Sequence, residues 1–299
     1  MDQAPGARGF LVGGARRAVA RPDPGLYVVS TPIGNLGDIT LRALEILAGV
    51  DQILAEDTRH SRRLLDHYGI ETPVGAYHEH NAETARPLVL ARLEQGQALA
   101  LISDAGTPLI SDPGYKLGLE AAAQGFRVYP VPGASALLAA LVASGLPTDR
   151  FFFEGFLPAK MEARRARLNA LARIEATLVF YEAPQRLAAS LADLAAELGD
   201  RPARVARELT KLHETVQAGT LGELATFYAS AEVKGEIVVV VAPPAPAAAI
   251  DDAVLTRELE ALLEDHTTKD AAAILAARHA LPRRDLYARA LELSRGRAR

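Results

Sequence analysis

Four short segments of the chain combine small residues, hydroxyls and carboxylates in a way that suits a ligand held against main chain. The longest is Leu101-Ile102-Ser103-Asp104-Ala105-Gly106-Thr107-Pro108-Leu109-Ile110-Ser111-Asp112-Pro113-Gly114, between an apolar run of strand type and a helical stretch. At the carboxyl end of a parallel strand, small residues let a ligand approach the backbone, while hydroxyls and a carboxylate fix its polar groups. The loop has no lysine for a nucleotide phosphate and matches neither G-x-G-x-x-G nor a Walker loop, so an anionic dinucleotide fits it poorly. A cofactor with a cationic sulfonium, an ammonium and a carboxylate is better served by backbone groups and Asp104. The other segments are Thr31-Pro32-Ile33-Gly34-Asn35-Leu36-Gly37-Asp38-Ile39-Thr40, Glu56-Asp57-Thr58-Arg59-His60 and Val131-Pro132-Gly133-Ala134-Ser135-Ala136. Taken singly, Gly34 and Gly133 read equally as turn glycines, and Glu56 and Asp57 as helix caps. Their recurrence at equivalent strand ends favours a ligand.

The elements that must carry these loops follow from the hydrophobic pattern. Apolar, β-rich runs at 26–30, 52–55, 98–102 and 127–131 alternate with helical stretches near 41–48, 61–68, 84–95 and 114–124, the pattern of a parallel sheet flanked by helices. After Gly145-Leu146-Pro147 a second set is expected, with strands at 151–154, 177–181, 203–206 and 236–242 and helices near 161–173, 185–198 and 221–229. The fold class is therefore α/β, with one domain over 25–147 and a second over 148–242. Residues 1–24 lack sustained periodicity and read as a disordered tail, and the proline-rich stretch at 243–250 reads as a stiff linker. Residues 251–299 form a small helical module resembling a helix-turn-helix, with a first helix from Thr267 or Thr268 through Arg278, a turn at Leu281-Pro282 and a second helix over 283–294. A dimerising or packing bundle is the plainer reading of that module.

With 299 residues, 49% of them hydrophobic and 23% charged, the chain has room for two cores, and its apolar runs stop well short of a membrane span. It has no cysteine and no order of residues typical of a secretion signal, which makes the cytoplasm the expected compartment. A net charge of -4 confines any nucleic-acid contact to local basic patches. Two such patches stand out. Lys160, Arg164, Arg165 and Arg167, extended by Arg173, form one, which is either an RNA phosphate contact or a solvated helix face. The second half of the C-terminal module, 266–299, carries eight Lys or Arg against three acids, with Lys269, Arg283 and Arg284 as phosphate candidates.

The runs T-P-I-G-N-L-G-D-I-T, A-E-D-T-R-H, S-D-A-G-T-P-L-I-S-D-P-G, F-L-P-A-K, F-Y-E-A-P-Q-R-L and A-R-E-L-T-K-L-H-E-T occur in this order. Together they resemble the RsmI family of 16S ribosomal RNA cytidine 2'-O-methyltransferases, within the tetrapyrrole-methylase superfamily. The likeness is strong over 25–242, extends to the helix pair at 266–294, and departs where His80-Asn81-Ala82-Glu83 replaces the family's usual His-Asn-Glu.

The resemblance implies two α/β domains of tetrapyrrole-methylase type that bind S-adenosylmethionine in the cleft between them, usually as a homodimer. The substrate it implies is the ribose of cytidine 1402 in the small ribosomal subunit. Carried over by position, the cofactor would meet Pro32, the loop Ser103, Asp104, Ala105, Gly106 and Thr107, and the loop Pro132, Gly133, Ala134 and Ser135. Over the adenine would close Phe180, Tyr181 and Glu182, then Arg207, Glu208 and Leu209, then Gly235, Glu236 and Ile237. A ribose hydroxyl is weakly acidic, so Asp57, His60 and His80 are candidate bases and Arg59 and Lys211 candidate electrostatic stabilisers. No metal is expected. Two rival readings are a methylase of a tetrapyrrole carbon, with the same fold and cofactor, and a ligand-sensing DNA-binding regulator. The second helix of the module has no Asn or Gln for adenine readout, which weighs against the regulator.

Overall fold

The structure, a computed structural model, describes residues 8–109, 115–245, 252–279 and 281–297. The last five residues of the loop that begins at Leu101, and 246–250 of the expected linker, lie outside them. The chain divides into two compact units, Met1–Pro244 and Ala245–Arg299.

The first unit opens with a hairpin of β1 (Gly9–Val12) and β2 (Ala15–Ala18), paired antiparallel. This corrects the expectation of a disordered tail for residues 9–18. Gly13 and Gly14 both take positive φ, +59° and +79°, the two-residue turn whose twist suits a hairpin. Phe10 is fully buried with Leu47 and Leu65, and Arg8 and Arg21 both bind the Asp51 carboxylate, at 2.9 Å and 2.6 Å. An apolar anchor and two ion pairs hold a segment whose composition alone suggested disorder.

Next come β3 (Gly25–Val29), α1 (Leu41–Gly49), β4 (Gln52–Ala55), α2 (Thr58–His67), β5 (Val74–Ala76), α3 (Ala82–Glu94), β6 (Ala98–Ile102), α4 (Tyr115–Ala123) and β7 (Val128–Val131). The strands form one parallel sheet in the order β5-β4-β6-β3-β7. β6 is buried along its whole length, as expected of a strand covered by helices on both faces. Because β6, β3 and β7 are neighbours, the loops after them emerge side by side, and the loop after β4 flanks them.

Helix α5 (Ala136–Ser144) leads to the second sheet, built from β8 (Phe151–Phe156), β9 (Thr177–Glu182), β10 (Pro202–Arg207), β11 (Thr215–Thr220) and β12 (Ile237–Val241). Its order is β11-β10-β12-β9-β8, with β8 and β9 parallel and the other pairs antiparallel. Helices α6 (Met161–Leu171), α7 (Leu187–Leu198) and α8 (Leu221–Ala229) supply Leu168, Leu191 and Leu224 to one core with Phe180 and Val239. On the other face, Leu137 and Leu141 of α5 pack with Val179, Ala206 and Val238. The alternation of Val179 and Phe180 between two cores is the period of two that a strand imposes.

The second unit holds α9 (Asp252–Asp265), α10 (Thr268–His279) and α11 (Arg283–Arg297) around Leu259, Leu275, Leu286 and Ala290. Arg289 clips α11 to α9 through Asp252 and Thr256, and Glu258 of α9 takes both Arg278 and His279 of α10. No helix among the described residues is long and apolar enough to cross a membrane.

Candidate functional site

The loops after β3, β6 and β7 are stitched to one another. Thr31 and Gly106 exchange both backbone hydrogen bonds, at 2.9 Å and 3.2 Å. The Thr31 hydroxyl donates to the Ser103 carbonyl at 3.2 Å, and the hydroxyls of Ser30 and Thr107 meet at 2.9 Å. Thr107 also donates to the Ala134 carbonyl, and a Cβ at Gly133 would stand 2.8 Å from Ser30 Cβ, so the third loop closes on the first only because residue 133 has no side chain. Gly106, at φ +78°, turns the middle loop back toward the first.

Above this floor lies a cleft of about 330 Å³, within the range of small-molecule sites. Its lower wall is Ile33, Ala105, Gly106, Thr107, Ser135 and Ala136. Its upper wall comes from the second sheet: Tyr181, Glu182, Ala183 and Pro184 after β9, Leu209 after β10, and Gly235, Glu236, Ile237 and Val238 entering β12. Phe156 completes the rim. A register shift between Phe153 and Gly155 bulges β8 and brings Phe156 and Phe153 edge-on to the Tyr181 ring, at 5.6 Å and 4.9 Å. Among the described residues no lysine or arginine lines the cleft.

Of the residues expected at a cofactor, Ala105, Gly106, Thr107, Ser135, Tyr181, Glu182, Leu209, Gly235, Glu236 and Ile237 converge on this cleft. Phe180 does not: strand alternation turns it into the opposite core, where it is 1% exposed. Pro32 and Ser103 are buried beneath the wall, Gly133 and Ala134 contact Ser30 and Thr107 of the neighbouring loops, and Pro132 is exposed and does not line the cleft. Asp104 faces α2, accepting the Asp57 backbone N–H at 3.1 Å. Arg207 and Glu208 lie in an adjoining hollow, with Arg207 reaching Thr215 and the Lys234 carbonyl. The Glu182 carboxylate is turned inward, where it accepts from the Ala183 N–H at 2.8 Å and from Ser190, so only its outer edge meets the cleft.

The ionisable candidates separate by their partners. Asp57 caps α2, its Oδ1 accepting from the N–H groups of His60 and Arg59, and these bonds hold its carboxyl below the usual range. A carboxylate so engaged is a weak base. Glu56, one residue earlier, is pushed up by burial and then by the neighbouring Asp104 carboxylate. His60 and His80 are exposed, and His80 stands edge-on to His78. Lys211 binds Glu208 at 2.8 Å and Glu236 at 2.9 Å. Burial alone would lower its ammonium, but the two carboxylates outweigh that and push it up. Glu208 and Thr210 hold left-handed φ, +52° and +67°, which costs a non-glycine residue about 1–2 kcal/mol. The Lys211 ion pairs and the bond from Thr210 N–H to Glu214, at 2.6 Å, hold that backbone in place.

The expected RNA contacts on α6 are corrected in part. Arg164 is 5% exposed and shares the Asp193 carboxylate with Arg165, while Arg167 binds both oxygens of Glu154, at 2.6 Å and 2.7 Å. Buried pairing removes Arg164 from any surface, and Arg165 and Arg167 are already neutralised; of the four, only Lys160 has no ion pair among the described residues. Lys269, Arg283 and Arg284 are all exposed, with Arg283 reaching the Lys269 carbonyl at 3.4 Å.

Sequence reasoning gave no site role to Phe156, Ala183, Pro184 and Val238, and it named Ile33 and Ala136 only as members of the ligand-suited loops. Only Phe156 left a signal, a glycine inside the strand-like run Phe151-Phe152-Phe153-Glu154-Gly155-Phe156 that marks a bulge. The others are apolar or backbone surfaces whose role depends on the meeting of two sheets.

The family model for Tetrapyrrole (Corrin/Porphyrin) Methylases matches residues 25–225, and the model for the RsmI C-terminal HTH domain matches 248–294. Among solved structures, a cobalt precorrin-4 methyltransferase of cobalamin biosynthesis aligns with a TM-score of 0.57 at 17% identity, covering 73% of this chain and 94% of its own. A uroporphyrin-III C-methyltransferase of Thermus thermophilus, complexed with S-adenyl homocysteine, aligns with a TM-score of 0.53 at 22% identity, covering 73% and 97%. The fold is that of the tetrapyrrole methylases. Ribosomal RNA small subunit methyltransferase I of Mesorhizobium japonicum is 54% identical over 277 residues, 92% of this chain and 94% of that protein. Its counterpart in Synechocystis is 48% identical, covering 90% of this chain and 98% of that protein. The chain belongs to the ribosomal RNA small subunit methyltransferase I family within the tetrapyrrole methylases.

Proposed function

We propose that this protein transfers a methyl group from S-adenosylmethionine to the 2'-hydroxyl of cytidine 1402 in 16S ribosomal RNA, acting in the cytoplasm as a homodimer. The observation that carries this reading is the cation-free cleft at the carboxyl ends of β3, β6 and β7, in a chain about half identical to small-subunit RNA methyltransferases over nine-tenths of its length. The donor set suits this cofactor. An adenosine needs apolar and aromatic walls, supplied by Ile33, Leu209, Ile237 and Tyr181, and a sulfonium needs carboxylate or carbonyl neighbours rather than a basic phosphate cradle. When bound, the cofactor supplies an activated methyl on a positively charged sulfur.

The chain's own part is to hold the two reactants in line and keep water out, the positioning effect that dominates when the leaving group is already activated. The stitched floor of Thr31, Gly106 and Thr107 fixes the cofactor side. Lys211 lies at the rim through Glu236, where a cation steadies negative charge on a ribose oxygen. Asp57, committed to capping, holds α2 in place; the hydroxyl proton passes to solvent as the new bond to the ribose oxygen forms, and the Lys211 cation steadies the negative charge developing there.

A methylase of a tetrapyrrole carbon would share fold and cofactor, but it gives no use to the C-terminal helix module. Calorimetric titration with S-adenosylmethionine, followed by transfer of labelled methyl to small subunits that lack the modification, tests the proposal. Saturable cofactor binding and label in 16S RNA support it; label confined to a macrocycle contradicts it.

A further inference from the structure

The neutralised cations of α6 leave open where an RNA backbone meets the body of the molecule. Helix α2 answers that. Arg59, Arg62 and Arg63 are exposed, and among the described residues none has an ion pair or a side-chain hydrogen bond. Their spacing of three and four puts them on one face, opposite the buried Ser61, Leu64 and Leu65. Asp66, one turn on, forms no ion pair with them among the described residues. The contrast with α6 is direct: there each buried or half-exposed arginine has an acid within 2.7 Å.

Both ends of α2 are anchored. At its start, the Asp57 N–H binds Asp104, the residue before Ala105 in the cleft wall. At its end, Leu11 of the hairpin donates its N–H to the Tyr68 carbonyl at 2.7 Å. The hairpin adds Arg17, exposed on β2 and with no side-chain partner among the described residues. The three arginines of α2 span about 6 Å of helix axis, enough for two neighbouring phosphates, and Arg59 lies two residues from Asp57, whose N–H binds Asp104 next to the cleft wall. Arg59 feels the Asp57 carboxylate, but Arg62 and Arg63 have no ion pair among the described residues, and such arginines on a rigid helix displace condensed counterions from a polyphosphate at least cost.

We propose that the arginine face of α2, continued by Arg17, is the surface along which the RNA phosphate backbone runs into the catalytic cleft. This rests on the RNA reading above, but it names a surface that the basic run on α6 would not have suggested.

The test measures binding of the full-length protein to small ribosomal subunits lacking the modification, at several salt concentrations, for wild type and Arg62→Ala/Arg63→Ala. The double variant should bind roughly tenfold more weakly at 0.1 M salt, and its log–log salt slope should be shallower by about 1.4 to 1.8, the loss of two phosphate contacts. Cofactor affinity should not change, and KM for subunits should rise with kcat kept. Arg167→Ala on α6 should leave the slope at the wild-type value. An unaltered slope and KM in the double variant would overturn the proposal while leaving the RNA reading intact. Failure of the wild type to bind subunits would overturn both.

Discussion

Lys211 lies across Gly34. A Cβ at residue 34 would overlap Lys211 Cγ and stand 2.9 Å from Cε, so the lysine passes over a residue that has no side chain to obstruct it. Gly34 belongs to the loop after β3 and Lys211 to the loop after β10, so this contact joins the two sheets at the mouth of the cleft. Gly34→Ala should displace the lysine from Glu208 and Glu236 and lower kcat/KM roughly tenfold, at a cost in stability of about 1 kcal/mol or less. Steady-state kinetics beside thermal melts would show this split.

The same ion-pair set predicts a pH dependence. The Lys211 hydrogen bond holds the Glu208 carboxyl below its ordinary value, so its stabilisation is present above the ordinary carboxylate range and is lost as pH falls through the lowered value. Lys211 is pushed up, so its share is present below the ordinary lysine value and is lost as pH rises through the raised one. The contribution of this pair should therefore be flat between about pH 5 and pH 10 and fall on either side. Lys211→Met should remove these two contributions, seen as a reduced pH dependence in denaturant titrations.

Gly106 tests the floor of the cleft. A Cβ there would meet Ile33 Cγ2 at 3.4 Å and the Ala134 carbonyl at 3.8 Å, which is ordinary contact, so space is not what excludes a side chain. The φ of +78° is. Gly106→Val should cost about 1–3 kcal/mol of stability through that backbone strain and weaken S-adenosylmethionine binding at least tenfold by displacing the Thr31–Gly106 bridge. Calorimetry with unchanged affinity would show that the bridge does not set the site.

The α6 basic run is a second point of contrast. Arg164 and Asp193 are buried together, with side chains 6% and 4% exposed. Asp193→Ala strands a buried guanidinium and should cost about 3–5 kcal/mol, whereas Arg165→Ala removes a half-exposed partner and should cost about 1 kcal/mol or less. Equal losses in urea titration would mean that the pair is not the buried element it appears from its accessibility.

The N-terminal hairpin depends on Asp51. Burial alone would raise this carboxyl, but hydrogen bonds from Arg21, the Ala98 N–H and Arg8 outweigh it and hold it at about 2. Because the folded value is depressed, the stabilisation is present above the ordinary carboxylate range and disappears as pH falls toward 2. Amide exchange across 9–18 should accelerate in that window, and Asp51→Asn should produce the same loss of protection at neutral pH.

Much of this architecture was legible because its signals are local. The all-apolar run of β6 and the alternation of strands and helices placed the first sheet, and the small-residue loops at Thr31, Ser103 and Val131 fell at strand ends. The hairpin was missed although Gly13-Gly14 is a strong turn signal, because low periodicity on either side outweighed two glycines. Phe180 was misassigned because a run of six strand residues shows that side chains alternate but not which set faces the ligand. The pairing of Arg164 with Asp193 is invisible in sequence, since twenty-nine positions separate donor from acceptor. A charge run reads as a surface until its acids are seen to fold beneath it.

The central claim is the identity of the methylated atom. Small subunits from a strain lacking this activity, incubated with the purified protein and labelled S-adenosylmethionine, should yield 2'-O-methylcytidine as the labelled nucleoside when the 16S RNA is digested and resolved by mass spectrometry, with the label mapping to a single position. Label on a base, or none in the RNA while a tetrapyrrole accepts it, would contradict the account.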